Sequence, residues 1–298
     1  MTSSPAIRAE DPRMLTRDRW RAREGAHQER ADRLTAEHRA RAQRGEKHPV
    51  WDFLFTYYSY KPTQLRRWHP GAGVALVDAR ERADWRWYAA GPVDGSFAPD
   101  AEAYAREKPQ LAQLVERMLR RTAARPAQFG CFGLHEWAMV YQQDETRHPV
   151  PLRLGRDGTD AVVEANELRC THFDAFRFFT PPAVPRNRLS LTRDSQSEFE
   201  QPGCLHAGMD LYRWAMKLGP LIPGELLLDT FELARDIRLL DMEAAPYDLA
   251  DWGVIPVAIE TAEGKAEYVR RQREFAERGV LLRGALLQAW FGTPPVAP

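Results

Sequence analysis

Residues 205–237, LHAGMDLYRWAMKLGPLIPGELLLDTFELARDI, decide how this chain folds. Leu211, Trp214 and Leu218 recur at the spacing of one helical face and stop at Gly219-Pro220, and Leu227, Phe231, Ala234 and Ile237 resume it after Pro223. The pattern predicts two successive helices, each with an apolar stripe to bury. Downstream, a strand-like Val254 to Ile259 should lead into a charged helix from about Ala262 to Trp290. Upstream, Leu111, Leu114, Val115, Met118 and Leu119 share a face after Pro109, with Arg120 and Arg121 in the last turn, where cations suit the helix dipole.

Short apolar runs between turn residues predict strands. Val74 to Val77 and the alternating Trp85, Trp87 and Ala89 form one such group, closed by Gly91-Pro92 and Asp94-Gly95, and a hairpin is expected there. Val150 to Leu154 and Ala161 to Glu164, around Gly155-Arg156-Asp157-Gly158, predict a second hairpin, and Leu168 to Phe179 a further extended or mixed segment. The expected class is α+β: short antiparallel strands in the centre, a helix-rich C-terminal half, and no alternating βαβ rhythm.

Residues from about Arg8 to Lys47 are dominated by Arg, Ala, Glu and Asp. With few apolar anchors and with Glu24, Glu29, Asp32 and Glu37 interleaving the arginines, this segment reads as a solvated helical arm held by intrahelical pairs. At His48-Pro49 the composition turns aromatic. The expected division is therefore a charged arm over 1–47 and a single α+β catalytic domain over 48–298, with the arm dispensable for folding.

With 298 residues, 44% of them hydrophobic, the chain can bury a core without staples. Lys and Arg total 42 and Asp and Glu total 42, so no net field gathers a polyanion, and any nucleic-acid contact must come from local patches. The start, MTSSPAIRAEDPR, has no apolar run of signal-peptide length, and no run approaches the length of a bilayer span. The cytoplasm is the expected compartment. Three widely separated cysteines, an odd number, predict reduced thiols rather than a disulfide framework.

Each cysteine has a histidine just after it: Cys131 with His135, Cys170 with His172, and Cys204 with His206. Thiolate and imidazole are good ligands for zinc or iron, so three such pairs could converge on one ion or supply a nucleophile pair; small core thiols beside satisfied histidines are the bland alternative. His172, Asp174 and His206 also follow the order of a two-histidine, one-carboxylate iron site, with Arg213 available for a carboxylate cosubstrate. Glu136 and Asp174 sit among apolar and aromatic neighbours, where desolvation favours catalytic use, unless Arg147, Arg169 or Arg177 claims them in an ion pair. The cluster Tyr57, Tyr58 and Tyr60 could stack a flipped base beside Lys61, Arg66 and Arg67, or could simply build core. No GxGxxG, Walker A loop, GxSxG elbow or HExxH occurs.

The segments HPVWDFLFTYYSYKPTQLRRWHPG (48–71), FGCFGLHEWAMVY (129–141), RHPVPLRLG (147–155), HFDAFRFFTP (172–181), EQPGCLHAGMDLY (200–212) and PYDLADWGVIPVAIET (246–261) together resemble an actinobacterial family described as 3-methyladenine DNA glycosylase. The resemblance covers nearly all residues after His48. It implies a DNA-repair hydrolase that cleaves the N-glycosidic bond of an alkylated purine in damaged DNA or a nucleoside-like molecule, with no cofactor. A purine alkylated on a ring nitrogen is cationic and already a good leaving group, so such an enzyme needs an electron-rich slot, a carboxylate facing the sugar, and a phosphate grip. Tyr57, Tyr58 and Trp137 would form the slot. Asp174 or Glu136, with His172 and His135, would be catalytic, and Lys61, Arg66 and Arg67 would bind the backbone. The alternative is an iron- or zinc-dependent enzyme built on His135, His172, Asp174 and His206. The main reading expects His172 and Asp174 to share a cleft with His135 and Glu136 that opens toward Tyr57 and Tyr58.

Overall fold

A computed structural model describes residues 13–143 and 150–291. The fold is α+β and helix-rich, with one small mixed sheet. Strands β1 (Met14–Leu15), β2 (Ala75–Leu76), β3 (Tyr88–Ala90) and β4 (Phe97–Pro99) lie in the order β1-β2-β4-β3, with β1 parallel to β2 and the other pairings antiparallel. Both expected runs supply a strand, but they do not pair with each other: β2 pairs with β4, and the hairpin that forms joins β3 to β4 around Asp94-Gly95, with Tyr88 opposite Pro99 and Ala90 opposite Phe97.

The core belongs to helices. Leu205–Leu218 and Gly224–Glu243 form the pair expected from the decisive stretch, broken at Gly219-Pro220, and the long helix Ala262–Phe291 packs against both. Leu211, Leu218, Leu228, Phe231, Ile237 and Leu286 are all withdrawn from solvent in one continuous cluster. At about 25 cal/mol per Å² of apolar area, this burial supplies the main folding drive. Helix Pro109–Ala123 starts at its proline as expected and buries Val115, Met118 and Leu119. Among the described residues no helix is long and apolar enough to cross a membrane.

Two local expectations are corrected. The second hairpin does not form: Gly155–Glu164 is a helix, entered through Gly155 at φ +64° and burying Thr159, Val162 and Val163. A 3.6-residue period can be satisfied by those three positions, and packing against Leu134–Ala138 settles the matter over turn propensity. Val254 to Ile259 is likewise not a strand.

The N-terminal helix exists, as Arg17–Gln43, but it is not solvated. Trp20, Glu24, His27, Ala31 and Thr35, spaced by three or four residues, form one buried face. Trp20 donates its indole N–H to Val77 O at 2.9 Å, His27 Nε2 lies 2.9 Å from Leu65 O, and Arg82 reaches Glu24 in a buried ion pair. Its arginines pair outward as well: Arg23 with Glu225 at 2.8 Å, and Arg30 with Asp229 and Glu232 at 2.7 and 2.9 Å. The segment taken for an arm thus clamps β2 to helix Gly224–Glu243.

Candidate functional site

Four elements meet at the centre of the helical core. Leu205–Leu218 carries His206, Asp210 and Arg213, and Gly224–Glu243 carries Arg238 and Asp241. The two helices close up at Gly208, where a Cβ would come 2.7 Å from Ile237 Cδ1, and this approach brings their polar side chains together. The short helix Leu134–Ala138 adds His135 and Glu136; it begins at Gly133, whose φ of +73° and lack of a Cβ let the chain pass against Ala244 and Tyr268. His172 stands just before the helical turn Phe173–Phe176, which holds Asp174.

These residues form two buried clusters with His206 between them. In the first, His135 Nε2 is 3.0 Å from Asp241 Oδ1, while Arg238 donates to Asp241 Oδ2 at 2.8 Å and to Glu136 Oε1 at 3.4 Å. In the second, His172 Nε2 is 3.3 Å from Glu200 and 3.4 Å from Asp210. Asp210 also accepts from the Tyr58 hydroxyl at 2.9 Å and from Arg213 at 3.3 Å, and Glu200 accepts from Gln196 at 2.6 Å. Arg213 bridges onward to Asp174 at 2.8 Å, which Arg177 approaches at 3.3 Å. The His206 ring centroid lies 4.5 Å from that of His135 and 5.2 Å from that of His172.

Burial alone would push every one of these imidazoles toward neutrality. For His135 the Asp241 carboxylate outweighs burial and raises the pKa well above 6.5, and for His172 Glu200 and Asp210 do the same. His206 goes the other way: burial, then the His135 ring beside it, lowers its pKa well below 6.5. Asp210 and Asp241 are held below the ordinary aspartate value because their cationic neighbours overcome burial, whereas burial leaves Glu200 raised.

A cleft of about 280 Å³ reaches this centre. Phe53, Tyr57, Met139 and Phe178 give it apolar and aromatic walls, and Glu136, Asp174, His206 and Arg238 supply its polar groups. Phe53 and Tyr57 stack with centroids 4.9 Å apart and planes 9° from parallel. A smaller pocket of about 10 Å³ is lined by all three cysteines and by His135, His172 and His206.

The three Cys–His pairs therefore converge, but not through their thiols. Cys131 Sγ is 3.8 Å from His135 Nδ1, and Cys170 Sγ reaches only the His172 carbonyl. Burial pushes the thiols of Cys170 and Cys204 up, so neither is a ready thiolate, and among the described residues the groups spaced to share an ion contain only histidine and carboxylates. The set His172, Asp174 and His206 is divided: Asp174 is claimed by Arg213 and Arg177, and the carboxylates beside the histidines are instead Asp241, Glu200 and Asp210. Arg213, expected to meet a cosubstrate, holds the protein's own Asp174 and Asp210. Arg147 lies outside the described residues.

Several slot and grip residues are also placed elsewhere. Trp137 is wholly buried and donates to Ala244 O at 2.8 Å, so it packs the core and cannot stack a ligand. Tyr58 is spent on Asp210, and Tyr60 packs edge-on against Tyr212. Arg66 pairs with Asp32 at 3.0 Å, and Arg67 lines a separate hollow with His69 and Trp85. Lys61 opens the short helix Pro62–Leu65, away from the cleft wall. Cations beside Asp174 come instead from Arg177 and Arg193. Sequence reasoning missed Glu200, Asp210, Arg238 and Asp241; the available signal was His206 and Asp210 at i, i+4 and Arg238 and Asp241 at i, i+3, spacings that put each pair on one face of its helix. No protein-family model, curated protein or solved structure matches this chain.

Proposed function

We propose that this protein is a hydrolase that cleaves the N-glycosidic bond of an alkylated, purine-like base. The observation that carries this reading is a cleft in which aromatic walls face two carboxylates, Glu136 and Asp174. At about 280 Å³ it lies at the small end of ligand pockets and suits one base-sized ring system. Tyr57, stacked on a Phe53 ring that Arg238 already covers, offers its outer π-face to a cationic base, an attraction worth about 1 kcal/mol or more once water is excluded.

Loss of a cationic purine needs no general acid, because the base departs neutral. The barrier lies in the positive charge that develops at the sugar, and an anion fixed beforehand at that position lowers it without reorganising. Asp174, clamped by Arg213 and Arg177, takes this role, and Glu136, steadied by Arg238, orients the attacking water. Arg177 and Arg193, both partly exposed beside Asp174, are placed to meet a phosphate of a nucleic-acid substrate, or the sugar edge of a free nucleoside.

The test is release of free base from methylated DNA and from 7-methylguanosine. Asp174→Asn and Glu136→Gln should each lower release by about two orders of magnitude while circular dichroism stays native. Wild-type protein that releases no base from either substrate, or variants that release it at the wild-type rate, would end this reading.

A further inference from the structure

We infer that His135, His206 and Asp241 form a binding site for one divalent transition-metal ion at the inner end of the cleft. The inference does not depend on the glycosidic reading. It starts from an unmade hydrogen bond. His135 Nε2 and Asp241 Oδ1 lie 3.0 Å apart and are both shut off from solvent, yet neither has a hydrogen-bond partner. The two atoms face each other as a close ion pair, but no hydrogen bond joins them. Leaving two such groups buried and unjoined costs about 1–3 kcal/mol each, and native cores rarely accept that without a reason.

An ion supplies the reason. Metal–nitrogen and metal–oxygen bonds to these side chains are about 2.0–2.2 Å, so two ligands at tetrahedral or octahedral angles sit about 3.0–3.4 Å from one another, each aimed at the ion and not at its neighbour. His206 brings a third donor, and the three ligand atoms all lie within 4.8 Å of one another. Two imidazoles and one carboxylate suit zinc or iron(II) and leave coordination positions open. His206 lines the cleft, so an open position would face it. The carboxylate is also held from behind, since Arg238 donates to its other oxygen at 2.8 Å, the kind of outer support that fixes a metal-binding carboxylate.

The neighbouring cluster serves as an internal control. His172, Glu200 and Asp210 are the same residue types at ligand spacing, but there Nε2 of the histidine bonds Asp210 and the carboxylates accept from Tyr58, Arg213 and Gln196. Its histidine Nε2 and its carboxylates already have protein partners, and only His172 Nδ1 is left over, so that group is an ion-pair network that holds together without a metal.

Cobalt(II) is the probe, because its visible absorption reports ligation directly. Full-length protein stripped with a chelator should take up one equivalent with a visible band, and zinc should displace it. His206→Asn and Asp241→Asn should weaken uptake by about 100-fold or more, whereas Glu200→Gln should leave it unchanged. If Asp241→Asn fails to fold, His206→Asn decides, because that side chain sits in the cleft wall. Stripped wild-type protein that binds no cobalt, undiminished uptake by His206→Asn, or equal loss in Glu200→Gln would overturn the inference. None of these readings involves turnover, so they stand apart from the base-release assay.

Discussion

Two regions of the molecule are crowded with charge, and they are held in opposite ways. Along the outer side of helix Arg17–Gln43, arginines meet carboxylates across helix boundaries at partly exposed positions, as Arg30 does with Asp229 and Glu232. At the centre, Arg238 meets Glu136 and Asp241 with all three side chains nearly sealed from solvent. Exposed pairs contribute about 0–1 kcal/mol, because water competes and side-chain entropy is lost. Buried pairs are different in kind: the pair itself can be neutral overall, but removing one member strands the other. What differs is the penalty for breaking each set, far more than the strength of either.

The largest break should come at the centre. Arg238→Met leaves two buried carboxylates facing each other and should cost about 3–5 kcal/mol in urea unfolding; a loss under about 1 kcal/mol would mean that water reaches the site. Next is the apolar side of the N-terminal clamp. Trp20→Ala removes a wholly buried indole between the helix and β2 and should cost about 3 kcal/mol or more. A change near zero would restore the picture of a solvated arm.

A pH test probes a third charged place, where burial acts on a lone histidine. His69, beside Arg82 and Arg67, is driven by burial to a pKa of about 3 from 6.5. The unfolded chain then binds a proton that the folded chain refuses, so stability is intact above pH 6.5 and declines as pH falls toward 3. Between pH 6.5 and 5 the loss should reach at most about 2 kcal/mol, and His69→Gln should flatten that slope in acid-unfolding curves. An unchanged slope would place the acid sensitivity elsewhere. The smallest effect belongs to the outer pairs: Arg30→Ala should shift stability by less than about 1 kcal/mol, and less still in high salt. A loss as large as that of Arg238→Met would erase the distinction between the regions.

The sequence made the main helices readable because Leu211, Trp214, Leu218 and their counterparts carry one unmixed apolar face. It hid the docked face of the first helix because Glu24, His27 and Thr35 stand at core positions, and polar types there look like solvent. It hid helix Gly155–Glu164 because Gly-Arg-Asp-Gly has turn chemistry, which tertiary packing overrode. At the site, histidines announced themselves by rarity and by their cysteine neighbours. Their true partners did not: Asp210, Asp241 and Glu200 are ordinary acids by local reading, and only tertiary packing brings Tyr58 and His172 to Asp210 and His135 and His206 to Asp241.

His206 lines both the cleft and the smaller pocket beyond it, so a single imidazole forms part of the partition between them. The partition has a consequence in time. Exposed side chains turn over in picoseconds to nanoseconds, whereas openings that require core groups to part extend from microseconds to seconds. Passage from cleft to pocket past this ring, which packs against His135 and His172, therefore follows the slow breathing of the helical core.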